Sequence, residues 1–260
     1  MEVPDVLLWV IYIFAVLFGL VIGSFLNVCI YRLPEGPQLW KPPRSFCPSC
    51  RRQIDWYDNI PILSYFILRG RCRSCGARIS PRYPAVEALS ALAAAANLYA
   101  FGPSAQAVIF YLFTCALVVI TFIDVDYKII PDVISIPGIV IGLALSPLLP
   151  ATFVESLIGA AVGGGVLYGV ILVYYLLTKR EGMGMGDVKL LAMIGAFLGW
   201  KSLPFVLLVS SFTGTLVGVG LMILARKDRR YAVPFGPFLS LGAVSYLFFG
   251  DPVIAWYLAI

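Results

Sequence analysis

The chain has 260 residues, 60% of them apolar or aromatic and only 13% charged, with a formal net charge of +5 and a mean hydropathy of +0.92. Soluble domains carry about 25% charged residues, so no water-facing shell can be built from this composition, and an all-α polytopic membrane protein is expected. The chain contains no histidine, which removes Ser-His and Cys-His nucleophiles, His-ligated catalytic metals and the HExxH metalloproteases, while disorder, a coiled coil and a periplasmic disulfide scaffold also fail on composition.

A bilayer-spanning helix needs about 20 mostly apolar residues. Eight segments are read as transmembrane helices: residues 7–30, 84–101, 105–123, 132–149, 153–177, 187–200, 203–225 and 234–249. The second is rich in alanine and the sixth is short. The first is not a cleavable signal peptide, because it lacks a basic n-region, is too long, and has no small-residue cleavage site after it. Lysine and arginine collect on the cytoplasmic side of membranes. With both termini outside, eight crossings place 18 of the 19 basic residues on the cytoplasmic side and leave only Lys201 out. The positive charge therefore reads as an orientation signal. The basic residues follow the loops, and no nucleic-acid partner is expected.

Residues 31–83 form the one sizeable polar segment. They hold Cys47-Pro-Ser-Cys50 and Cys72-Arg-Ser-Cys75, with 21 residues between the pairs. Two intervening residues let both thiolates reach one ion from a tight turn, and two such turns close a tetrahedral shell. Four cysteine ligands leave no open position, so a structural zinc is expected. A segment this small buries little core and needs such a staple. Iron would accept the same ligands. Two disulfides or four idle thiols are the alternatives, and a reducing cytoplasm disfavours the disulfides. Cys29 and Cys115, inside apolar helices, read as small core residues.

Ionisable groups in membrane helices are costly and usually functional. Asp124, Asp126 and Asp132 lie where the third segment ends and the fourth begins. Asp187 lies in Gly184-Met-Gly186-Asp187-Val-Lys189, just before the sixth. Both stretches fall at the cytoplasmic edge in this topology. Two close carboxyls share one proton, so that one activates water while the other polarises a carbonyl. Asp124 and Asp126 stand about 200° apart on a helix, so only one can face Asp187. Helix capping would explain Asp132 and Asp187 without chemistry. Ion transport is a further alternative, although it predicts acidic groups near the bilayer midplane. A zinc-ribbon adaptor would leave the glycine-rich Asp187 segment unexplained.

Taken together, these residues resemble the bacterial type IV prepilin peptidases (leader peptidase/N-methyltransferases), membrane aspartic proteases with a Gly-x-Gly-Asp motif. The resemblance is carried in order by Gly23-Ser-Phe-Leu-Asn27, the four cysteines, Asp58-Asn-Ile-Pro61, Arg82-Tyr-Pro84-Ala-Val-Glu87, Asp124-Val-Asp126 through Pro131-Asp132, Gly184-Met-Gly186-Asp187 and Pro234-Phe-Gly236-Pro237-Phe. It implies Asp124 and Asp187 as the catalytic pair, with Asp126 and Asp132 auxiliary or structural. It implies zinc on Cys47, Cys50, Cys72 and Cys75. The implied substrates are prepilin or pseudopilin precursors, cleaved after a glycine at the cytoplasmic face of the bacterial inner membrane, among its lipids. It also implies methylation of the new amino terminus by S-adenosylmethionine, with Gly70 and Glu87 at the cofactor. The expected domains are 1–30 as a first transmembrane helix, 31–83 as a cytoplasmic metal-binding segment and 84–260 as a seven-helix protease core.

Overall fold

The computed structural model describes residues 5–36, 45–179, 183–224 and 233–258. Among them the chain is helical, and strand pairing is limited to two isolated bridges. The long helices are α1 (Asp5–Arg32), α3 (Arg82–Phe101), α4 (Ala105–Tyr127), α5 (Asp132–Leu145), α6 (Phe153–Thr178), α7 (Met185–Leu198), α8 (Leu203–Leu224) and α9 (Gly236–Leu258). A short α2 (Leu63–Ile67) lies between α1 and α3. Each long helix coincides with one of the eight apolar segments.

The count of crossings is less simple. Among the described residues, five helices are long and apolar enough to span a bilayer: α1, α3, α4, α6 and α8. That makes the chain a multi-pass membrane protein. The helices α5 and α7 have 14 residues each, about 21 Å at the usual helical rise, against a hydrocarbon core of about 30 Å. Eight full crossings therefore do not follow from helix length. Many apolar side chains on the long helices face outward, among them Trp9, Phe14, Leu208 and Ile223. Apolar solvent is the environment such surfaces match.

The chain divides into two compact units, Met1–Val119 and Ile120–Ile260, with the boundary inside α4. In the first unit α1 packs along α3. Gly19 and Gly23 make this possible: a Cβ on either would fall 2.7 Å from the Ala91 Cα or 2.6 Å from the Glu87 Cα. Small residues four apart let membrane helices approach backbone to backbone. The Asn27 amide nitrogen crosses the seam to the Tyr83 carbonyl at 3.0 Å.

In the second unit α7 is the central element, packed against α5, α6 and α9. It is buried without interruption from Leu190 to Leu198. A helix that is apolar all round is either enclosed by other helices or faces lipid, and the burial of α7 shows it enclosed. The α6 and α7 backbones touch where Gly159 and Gly195 face each other, each occupying the space a side chain on the other would need. This core holds the amino-terminal turn of α7 in a fixed place, and Asp187 sits on that turn.

Candidate active site

Asp124 occupies the last turn of α4 and is 5% exposed, while Asp187 is the third residue of α7 and is 8% exposed. Asp124 and Asp187 interact electrostatically, and the packing around them puts both in one buried region. Ile130 lies among them. A Cβ on Gly186 would stand 2.9 Å from the Ile130 Cβ, and one on Gly236 would stand 3.2 Å from its Cδ1. Asp126, two residues on, is exposed, as the 200° separation requires.

Neither acid occupies an N-cap position. The N-cap of α7 is Gly184, and Asp187 sits three residues beyond it. There its carboxylate accepts the Gly184 amide hydrogen, the backward half of a capping box. Likewise the N-cap of α5 is Pro131, and Asp132 is the first helical residue with no side-chain capping bond. Asp132 instead receives the Lys189 ammonium on both oxygens, at 2.7 and 2.8 Å, which ties the start of α5 to the second turn of α7. The pair is solvent-exposed, so its expected worth is small. Lys189→Ala should lower stability by less than about 1 kcal/mol in chemical denaturation, and a larger loss would show that the strut carries the fold.

The partner of Asp124 was not foreseen. Its Oδ2 accepts the Gly236 N–H at 2.9 Å in a buried bond spanning 112 residues of chain. Gly236 opens α9, so this N–H has no intrahelical acceptor, and the positive end of the α9 dipole faces the carboxylate. A Cβ at this position would lie 2.7 Å from Oδ2, so a side chain here would displace the carboxylate. The Pro-Phe-Gly-Pro run was visible in the sequence, but its link to Asp124 was not.

In the first unit the four cysteine sulfurs all lie within 4.8 Å of one another. Cys47 and Cys75 are 3.8 Å apart. A tetrahedral ion with metal–sulfur bonds of about 2.3 Å puts its ligands about 3.8 Å apart, whereas a disulfide needs about 2.05 Å. The donor set therefore fits one tetrahedral metal ion. It is built from two matching turns. The Cys47 N–H meets the Arg52 carbonyl at 2.9 Å and the Cys72 N–H meets the Ala77 carbonyl at 2.8 Å. Bridges Phe46–Gln53 and Arg71–Arg78 close the two turns in the same way. Amide hydrogens of Cys75 and Ser74 pull the Cys72 thiol down to about 6, which favours the ligating thiolate. Arg73, in the second turn, grips Asp58 in a fork at 2.6–3.1 Å and holds its carboxyl below the usual carboxylate range.

The two residues expected at a cofactor fall in different places. Glu87 is buried and lines a cavity of about 640 Å³. Gly70, at φ +65°, does not line it but backs Tyr65, which does.

Two family profiles match the chain: Bacterial Peptidase A24 N-terminal domain over residues 17–101, and Type IV leader peptidase family over residues 111–219. Among curated proteins, the prepilin leader peptidase/N-methyltransferase of Aeromonas hydrophila is 40% identical over 284 aligned positions, covering 99% of this chain and 97% of the relative. Those of Stutzerimonas stutzeri and Legionella pneumophila are 38% and 36% identical, covering 94% and 96% of this chain and 92% and 95% of the relatives. No solved structure matches the chain. With identity of this order running end to end, and the two profiles matching in succession, the chain belongs to the type IV leader peptidase family.

Proposed function

We propose that this protein is a prepilin leader peptidase that also methylates the amino terminus it exposes. The observation that carries the peptidase half is the burial of Asp124 and Asp187 within electrostatic reach of each other, in a chain without histidine. One carboxyl holds the shared proton and the other is ionised. The ionised member takes a proton from water while the water oxygen bonds to the scissile carbonyl carbon. The protonated member hydrogen-bonds the carbonyl oxygen as charge gathers there. The C–N bond then breaks, and the amine leaves with a proton from the pair.

The substrates are prepilins or pseudopilins whose basic leader ends in glycine. Asp124, Asp126, Asp132 and Asp187 supply an acidic surrounding for that leader. The orientation that best suits the loop charges puts both the aspartates and the four-cysteine segment on the cytoplasmic side of the bacterial inner membrane. Basic residues of the 31–83 segment then face anionic lipid headgroups. In this reading residues 1–30 anchor the chain, 31–83 bind a structural zinc through Cys47, Cys50, Cys72 and Cys75, and 84–260 form the protease core.

Methylation needs an electrophilic methyl group. S-adenosylmethionine would supply one when bound: the amine nitrogen would take the methyl group and lose a proton, the sulfur keeping the electrons of the broken C–S bond. Glu87 on α3, and Gly70 through the Tyr65 ring that it backs, belong to the region that would hold this donor.

Purified protein incubated with a synthetic prepilin should release the leader after its glycine and add one methyl group, read by mass spectrometry, only when the donor is supplied. A product cut elsewhere, or an intact prepilin, would count against the reading. Gly236→Ala should lower cleavage by about 10² or more, because its Cβ displaces the Asp124 carboxylate and small misplacements of reacting groups cost rate steeply. Full activity in this variant would mean that the Asp124–Gly236 bond plays no part.

A further inference from the structure

The cavity beside Glu87 lies wholly between residues Ser24 and Glu87, walled by α1, the start of α3 and the four-cysteine segment. Its volume of about 640 Å³ is that of a small-molecule site. Its lining mixes two chemistries. Asn27 and Glu87, contributed by the helices, are both buried. Arg52 and Arg78, contributed by the cysteine turns, are both exposed. Tyr31 and Tyr65 also line it.

Asn27 is 5% exposed, and its Oδ1 has no hydrogen-bond partner. Its nitrogen is already committed to the Gly23 and Tyr83 carbonyls. What remains is a buried acceptor, which is costly unless a donor reaches it. Glu87 Oε2 accepts the Ile62 N–H at 2.7 Å. Ile62 has φ +59°, a conformation that a β-branched residue adopts only under constraint. The Ile62–Glu87 bond holds this strained turn against the cavity wall, and two carboxylate oxygens retain capacity for further donors.

We propose that this cavity is the seat of the adenosyl sulfonium methyl donor, with Asn27 and Glu87 at its donor-rich, cationic parts and Arg52 and Arg78 at its carboxylate. The proposal rests on the methyltransferase half of the function given above. An aminopurine nucleoside offers N–H and hydroxyl donors to the unpartnered Asn27 oxygen. The sulfonium and ammonium charges suit the Glu87 carboxylate and the faces of tyrosine rings. The amino-acid carboxylate suits guanidinium groups. Gly70 acts through Tyr65: a Cβ there would stand 3.1 Å from the ring and its hydroxyl, so a side chain at 70 presses the ring toward the cavity.

The test is equilibrium dialysis of the full-length, metal-loaded protein in detergent with radiolabelled S-adenosylhomocysteine. The wild type should bind about one probe per chain. Asn27→Ala and the double change Arg52→Ala with Arg78→Ala should each weaken binding by about tenfold or more, the effect of one lost charge-assisted or buried hydrogen bond. Metal content and thermal midpoint report whether each variant is folded. The arginine pair is on the surface, so it remains informative should Asn27→Ala misfold. A wild type that binds the probe while the folded variants bind it equally well places the donor elsewhere and overturns this proposal, leaving the methyltransferase reading intact. A wild type that neither binds the probe nor methylates the processed prepilin removes that reading, and this site with it.

Discussion

Asp124→Asn and Asp187→Asn are each expected to slow leader cleavage by about 10²–10⁴-fold, the range for loss of a positioned acid–base group. Asparagine keeps the shape and can still accept the Gly236 or Gly184 amide hydrogen, so the fold should survive. What it cannot do is hold or exchange the proton. Asp126→Asn, two residues from Asp124 but exposed, should fall far short of that loss. A gel-based leader-release assay at equal folded yield reads all three. A large effect at Asp126 and none at Asp124 would assign the chemistry to the wrong face of α4.

Removal of the metal carries the second large effect. Binding of a structural zinc contributes about 10–16 kcal/mol in small four-ligand sites, far beyond what the apolar contacts of this polar segment supply. Cys72→Ser should therefore abolish stoichiometric metal and open residues 45–80 to proteolysis. The Cys47 and Cys72 turns are built alike, by the same N–H to carbonyl bonds, so Cys47→Ser should produce the same digestion pattern. Metal analysis of the unmodified protein should give about one ion per chain. A cysteine variant that keeps both the metal and wild-type resistance to protease would contradict a four-thiolate shell.

Much of this was legible in the sequence because the signals were local. Runs of apolar residues located all eight long helices. The two Cys-x-x-Cys spacings located a cluster whose sulfurs do converge. The 200° between Asp124 and Asp126 correctly left one buried and one exposed. What escaped was set by contacts between distant segments. The Gly236 N–H reaches Asp124 across 112 residues, and nothing in Pro-Phe-Gly-Pro says which side chain will cap α9. Capping had offered a plain explanation for Asp132 and Asp187. Instead Gly184 and Pro131 hold the N-cap positions, which leaves Asp187 buried and Asp132 paired with Lys189. Eight crossings do not follow from helix length alone: the 14 residues of α7 read as a short span, and in the fold other helices pack around them.

The two acids are claimed to work as one unit, and the chain carrying both Asp124→Asn and Asp187→Asn tests that most directly. Its leader-cleavage rate should match that of the slower single variant, since either loss already removes the shared proton and residues acting together are grossly non-additive. Losses that multiply, so that the double variant is slower than either single one by the product of their separate effects, would show two independent contributions and contradict the account.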